Sequence, residues 1–150
     1  MELLSTQLDL NMVYRLIVAT VLGGAIGIER ELHGKVAGFR THALVATGAA
    51  VFTVASVHIF EVYGSQVQVD PGRIAAQIVS GVGFLGAGAI IRSQTGIHGL
   101  TTAAGLWTAA AIGLASGLGY FQAAFCGTAI TLLVLIAFSW IGRRIGARDV

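Results

Sequence analysis

Few side chains in this chain could do chemistry, and they gather in four short stretches. Gly27-Ile28-Glu29-Arg30-Glu31 and Gly38-Phe39-Arg40-Thr41-His42 flank one connection with two carboxylates, two guanidinium groups and an imidazole. Such a set is either an ion-pair cluster that fixes two helix ends or a polar mouth for a cation or a partner. Glu29 is the sharper candidate, because it directly follows apolar residues and should lie deepest. A carboxylate there must pair with Arg30, Arg40 or Arg92, or bind a cation. In Asp70-Pro71-Gly72-Arg73, Asp70 suits a helix cap and Pro71 a first turn. Asp70 could also collect a hard divalent cation such as Mg²⁺, which takes carboxylate oxygens and keeps several waters. Glu61 and Asp70 together would make only a weak site. Gln77 and Ser80 sit inside an apolar run. The fourth stretch holds Arg92, His98, Thr101 and Thr102, where the threonines are expected to cap a helix or bond back within it.

Other chemistries find no residues. Neither a Ser/His/Asp set, nor Cys/His metal spacing, nor a phosphate loop is present, so an enzyme is not expected. No cofactor is implied beyond Mg²⁺ as a ligand or substrate. Gly81-x-Gly83-x-x-Gly86 matches the dinucleotide fingerprint as a string, but it lies inside an apolar span and Leu106 stands where the acidic partner belongs. Cys126 is the single cysteine, so no intrachain disulfide can form. Its setting, AAFCGTAI, reads as a small buried hydrophobe. His58 is expected at an interface, and Trp107 either there or facing the bundle.

The elements that must position these residues are apolar helices. The 150-residue chain is 55% hydrophobic and 11% charged, less than half the roughly 25% charge of soluble domains. Mean hydropathy is +0.82. The fold class this implies is an all-α, polytopic membrane helix bundle, a single domain over residues 1–150, embedded in the lipid bilayer. Nucleic acid is not an expected partner. Twenty-one glycines against one proline suit helices whose backbones approach closely. About five spans are expected, at residues 10–28, 41–60, 74–91, 100–118 and 121–141, joined by short connections. The tightest is the Gly117-Leu118-Gly119-Tyr120 corner. No cleavable signal peptide is expected, since the N-terminus is acidic (Glu2, Asp9) and lacks a basic stretch.

Seven of the nine basic residues fall on one side of this arrangement: Arg30, Lys35, Arg40, Arg92, Arg143, Arg144 and Arg148. Arg15, which can snorkel, and Arg73 fall on the other, beside Glu2, Asp9, Glu61 and Asp70. The positive-inside rule then puts the N-terminus outside and the C-terminus in the cytoplasm. On a helical wheel of the third span, Ile74, Ile78, Val82, Leu85 and Ala89 share one side. Ala76, Gln77, Ser80, Gly81, Gly83, Phe84, Ala87 and Gly88 share the other. The expectation is that the aliphatic side meets lipid and the small, polar side meets protein. Gly81, Gly83, Gly86 and Gly88 are thus expected to pack, as are Gly23 and Gly27 in the first span and Gly105, Gly113 and Gly117 in the fourth. These stripes could close one chain or join two into a homodimer.

The strings GIERE (27–31), GFRTHALV (38–45), Asp70-x-x-RIAAQIVSGVGFLGAG (70–88) and GLTTAA-x-x-Trp107 (99–107) resemble the MgtC/SapB family of bacterial membrane proteins. The likeness runs from the first span to the fifth. It implies a multi-pass protein of the bacterial inner membrane, associated with growth at low Mg²⁺ and, in pathogens, with survival inside macrophages. It also implies either Mg²⁺ transport or sensing, or a non-transporting regulator that binds another membrane complex such as the F-type ATP synthase. Many members carry a soluble C-terminal domain. This sequence ends at Val150, so the expectation is that its membrane part acts alone or with a partner. Tags fused to the two termini should be reached from opposite faces of the membrane. Equal accessibility of both from one face would refute the five-span topology.

Overall fold

The computed structural model describes residues 10–64, 70, 72–94 and 96–144. Glu2, Asp9, Pro71 and Arg148 lie outside the described residues, as do the side chains of Arg143 and Arg144. Five helices follow in order: α1 (Leu10–Leu32), α2 (Phe39–Tyr63), α3 (Arg73–Ala89), α4 (Leu100–Leu118) and α5 (Phe121–Arg144). The chain is an all-helical membrane bundle. Four of the helices, α1, α2, α4 and α5, are long and apolar enough to cross a membrane. The fourth span has the expected limits, whereas α1, α2 and α5 run past theirs.

The third differs. It stops at Ala89, and its 17 residues reach only about 25 Å against a hydrocarbon core of about 30 Å. Beyond it, Ile91–Ser93 (β1) pairs antiparallel with Gly96–His98 (β2), a hairpin that the apolar pattern did not announce. Gly99 then turns the chain into α4 at φ +89°, a left-handed conformation that glycine adopts without steric cost. A side chain there would also strike the carbonyl of Ala89.

The bundle is built around α2, which makes its widest contacts with α1 on one flank and α4 on the other. Its buried stripe is His42, Ala43, Ala46, Ala49, Ala50, Thr53 and Ser56, and only the first is large. Opposite it stand glycines. A Cβ on Gly23 would lie 2.5 Å from the Ala46 Cβ, and one on Gly27 2.7 Å from the Phe39 Cα. From the other flank, a Cβ on Gly113 would run into the Ala46 carbonyl, and one on Gly117 would lie 2.7 Å from that of Ala50. Ala46 is therefore clamped between two helices at backbone distance. The glycine stripes of the first and fourth spans close the chain on itself.

Larger residues fill the rest. Val18, Leu22 and Ile26 of α1 meet Ile112 of α4 and Ala124 and Leu135 of α5. The corner before α5 is a Schellman turn, with Gly119 at φ +80°, its N–H donated to Ser116 O and that of Tyr120 to Ala115 O (2.9 Å each). Arg15 closes it from α1 by donating from Nη1 to Gly117 O (3.0 Å). Cys126 lies on the exposed side of α5, contrary to the buried setting its neighbours suggested. The buried positions of α5 are Ala124, Thr128 and Leu135, and Cys126 falls off that line.

The wheel of the third span is turned relative to expectation. Ile78, Val82 and Gly86 are its buried residues, and Ile78 and Val82 pack with Ala49 and Ala110. Gly81, Gly83 and Gly88 face open space, and of the four glycines only Gly86 meets a neighbour, Ala103. The α1 and α4 glycines already occupy the narrow stripe of α2, so α3 reaches the bundle with its long side chains.

These contacts separate the glycines by cost. Gly113→Ala should destabilise the bundle by about 3 kcal/mol, because the overlapping atom is rigid backbone. Gly81→Ala should change stability by no more than about 0.5 kcal/mol, or raise it. Denaturant unfolding of both variants in detergent checks the contrast. Equal losses would mean that the clamp on Ala46 is not tight.

Candidate functional site

The polar residues singled out in the sequence separate into two places. One is the end of the bundle where α1 gives way to α2. Both Glu29 and Arg30 are buried there, at 6% and 3% exposure. Their side chains form a two-pronged pair: Arg30 Nη2 donates to Glu29 Oε1 at 2.7 Å, and Nε donates to Oε2. His33 Nδ1 donates to the Glu29 carbonyl (2.8 Å) and lies 3.1 Å from Glu29 Oε1. Taking two charges out of water is expensive, and a bidentate geometry is the condition under which attraction repays it.

Glu31 does different work. Its Oε2 accepts from Phe39 N at 2.8 Å, across the connection. The residue before α2 is Gly38, which has no side chain to satisfy the first N–H groups. A carboxylate from α1 takes that place, at the end where the helix dipole favours a negative charge. Gly38 also gives its carbonyl to His42, receiving the backbone N–H (3.2 Å) and the ring Nδ1–H (3.0 Å).

His42 is fully buried. Because Nδ1 donates, the proton of a neutral ring sits there and Nε2 is left as an acceptor. Nε2 has no hydrogen-bond partner among the described residues. It points at α4, where a Cβ on Gly105 would come within 3.1 Å of it. The sequence placed His42 in the right cluster, but no local signal marked it as the most enclosed polar group.

Others are dispersed. Arg40 and Thr41 are exposed on the first turn of α2, Arg92 is exposed on β1, and Thr101 is exposed while Thr102 is buried. Asp70 stands at the far end of α3, exposed, with Oδ1 accepting from Gly72 N at 2.8 Å. It therefore shapes the turn before α3, and Gly72 is the residue at the cap. Glu29 and Asp70 do not come together. Among the described residues, no three His, Cys, Asp or Glu side chains are grouped as a metal cage requires.

The second place is the outward face of α3. Gln77, Ser80, Gly81, Gly83, Phe84 and Gly88 are all exposed. Gln77 also borders an apolar groove of about 550 Å³ between α2 and α3, whose walls include Leu44, Phe52 and Leu85. Trp107 is half exposed on α4, and His58 is exposed near the end of α2. Inside the bundle, Thr53, Ser116 and Thr128 each donate to a carbonyl four residues earlier, so these buried hydroxyls are satisfied within their own helices.

A five-helix apolar bundle with a buried ion pair at one end is an integral membrane protein of the small polytopic class. The sequence model of the MgtC family matches residues 16–144, and the chain belongs to that family. YhiD of Escherichia coli K12, named as a candidate magnesium transporter, is 47% identical over 135 residues, covering 89% of this chain and 63% of its own. Protein MgtC of Salmonella typhimurium LT2 is 47% identical over 133 residues, covering 89% of this chain and 54% of its own. Protein SapB of Bacillus subtilis is 40% identical over 149 residues, covering 96% and 63%. The chain thus spans a little over half the length of the relatives it matches. No solved structure matches it significantly.

Removing one member of the buried pair leaves the other charged and alone. Glu29→Gln should lower stability by about 3–5 kcal/mol. The double change Glu29→Gln, Arg30→Gln should lose clearly less than the sum of the two single changes. Glu31→Gln should cost only about 1 kcal/mol, as the loss of a helix cap does. A double-mutant cycle by unfolding in detergent measures all three, and additive losses at Glu29 and Arg30 would mean that the pair is not coupled.

Proposed function

We propose that this chain serves Mg²⁺ homeostasis as a membrane-embedded regulator, which docks on another membrane protein through the outward face of α3. The observation that carries this reading is the exposure of Gln77 and Ser80 beside Gly81, Gly83 and Gly88. Hydrocarbon offers the Gln77 amide no hydrogen bonds. A partner helix supplies them, and glycines let its backbone come close. Membership of the MgtC family, together with the name of the relative YhiD, supports the Mg²⁺ setting. The F-type ATP synthase is the partner complex that the family resemblance suggests. On this reading the protein lies in the bacterial inner membrane with the Glu29 end in the cytoplasm, where the excess of basic residues favours it.

Conduction is the less supported reading. Both oxygens of Glu29 are engaged by Arg30, and a strongly hydrated Mg²⁺ would have to displace a bidentate guanidinium. Asp70 alone offers a single carboxylate.

Two measurements test the proposal together. Proteoliposomes holding the purified chain should show Mg²⁺ flux no greater than empty vesicles. Flux that falls in Glu29→Gln or Asp70→Asn would establish transport instead. A photo-crosslinker at position 80 should capture a membrane protein in native membranes, whereas one at position 133, exposed on α5, should not. Gly83→Leu should abolish the capture. Adducts of equal yield from both positions, unchanged by Gly83→Leu, would remove the docking face.

A further inference from the structure

α3 finishes beside the start of α4, where Gly86 meets Ala103. The α1–α2 connection lies at that same end, since Gly34 and Val36 share a cavity with Gly99 and Thr101. The 17 residues of α3 cover about 25 Å, about 5 Å less than the hydrocarbon core. Ile90 then turns the chain extended, at φ −92° and ψ 119°, and Ile91 opens β1. Two extended residues add about 6.6 Å. Helix and isoleucines together match the thickness of the apolar layer, and Arg92 is the first residue beyond it.

The hairpin itself suits the headgroup layer. Its two strands pair with each other, so each has an outer edge of N–H and C=O groups with no ladder partner. Hydrocarbon cannot satisfy such groups, whereas water and phosphate oxygens can. In the register Arg92 stands opposite Ile97, and Ile91 opposite His98. Cross-strand partners share a face of the ribbon. His98 lines the cavity beside Thr101, so the face that carries Arg92 and Ile97 is turned away from it. Both residues are exposed.

Charge selects the lipid. Arg92 and, on the first turn of α2, Arg40 are exposed at this end, and neither makes an ion pair among the described residues. The nearby carboxylates are engaged, Glu29 by Arg30 and Glu31 by the N–H of Phe39. What is left at the surface is positive charge beside exposed isoleucines. An arginine so placed lays its stem along acyl chains and holds its head among phosphates.

We propose that the β1–β2 hairpin anchors the end of α3 in the headgroup layer, with anionic phospholipid as its partner. Ile90 and Ile91 lie in the outermost acyl layer, and Ile97 reaches back to its boundary. The Arg92 guanidinium donates to the oxygens of a lipid phosphate, a geometry its planar fork suits. Arg40 adds to the attraction from α2. The anchor acts on the helix that meets the bundle mainly through the long side chains of Ile78 and Val82. The surface charge of the bilayer thereby sets how firmly the end of α3 is held.

The test uses the whole chain in nanodiscs. Ile97→Cys is spin-labelled in a Cys126→Ser background, and Leu133→Cys, exposed on α5, serves as the deep reference. Depth is read from collisions with oxygen and with a water-soluble nickel complex. The label at position 97 should lie between the lipid phosphates and the first acyl carbons, well above that at position 133. The ratio of held to loose label should be higher in phosphatidylglycerol than in phosphatidylcholine discs. Arg92→Gln should lower that ratio about fivefold in phosphatidylglycerol, the effect of one basic residue at an anionic surface. It should leave the ratio in phosphatidylcholine unchanged, and Arg92→Lys should keep most of the phosphatidylglycerol response. Because Arg92 is exposed, both variants should fold as the parent does. A label in bulk water, or one shielded by protein from both reagents, overturns the anchor. A ratio that ignores phosphatidylglycerol, or that Arg92→Gln lowers equally in both lipids, overturns the anionic partner.

Discussion

Everything in this bundle depends on how closely the backbone of α2 approaches its two neighbours. Between lipid-facing helices no hydrophobic force drives association, because hydrocarbon is as apolar as leucine. What remains is dispersion, which gains only when many atoms meet near contact distance. The sequence meets that demand by putting Gly23 of α1 and Gly113 and Gly117 of α4 against Ala46, Ala50 and Thr53 of α2. Ala46 and Ala50 are fully buried although each carries only a methyl group. Thr20 and Thr47 add a hydroxyl contact of 2.7 Å across the same seam. Because the fit is backbone on backbone, it fixes register as well as distance.

That register is what builds the polar end. With Gly27 against Phe39 and Gly38, the connection between α1 and α2 is held close. Glu31 then reaches the first N–H of α2, and Glu29 and Arg30 are pressed out of water together. The pair sits in the last turns of α1, where the loss of hydration is smaller than at the bilayer centre. His42, one turn into α2, is enclosed for the same reason, since α4 presents Gly105 to it. Burial here is a consequence of close packing, and the ionised groups survive it because each is bonded.

Much of this was legible in the sequence, for a physical reason. The spacing of Gly23 and Gly27, and of Gly105, Gly113 and Gly117, follows the helix period, so those stripes could be placed before any contact was known. The same holds for the corner at Gly119 and for the cluster around Glu29. What failed was the rule that small, polar residues point inward. It holds for α1, α2 and α4, but α2 offers one narrow stripe, and two helices fill it. The remaining surface around Ala49 and Ala110 accepts Ile78 and Val82, so α3 is turned over. Strands of three residues have no period to detect, which is why β1 and β2 escaped notice. Nor could Arg15 be matched to Gly117, because a contact between residues 102 positions apart leaves no local trace.

The inversion of α3 decides how the molecule divides. α1, α2 and α4 form a clamped unit in which no helix can slide without breaking backbone contacts. α3 leans on that unit through two aliphatic side chains and Gly86, with a groove of about 550 Å³ left beside α2. It is also the shortest helix, ending in a hairpin, and it carries Gln77 and Ser80 exposed within the apolar run. A helix held in this way can tilt or shift against its support at small cost, because long side chains repack more readily than backbones. The clamped helices meet backbone to backbone, whereas α3 meets them through side chains, with Gly86 facing Ala103 of α4.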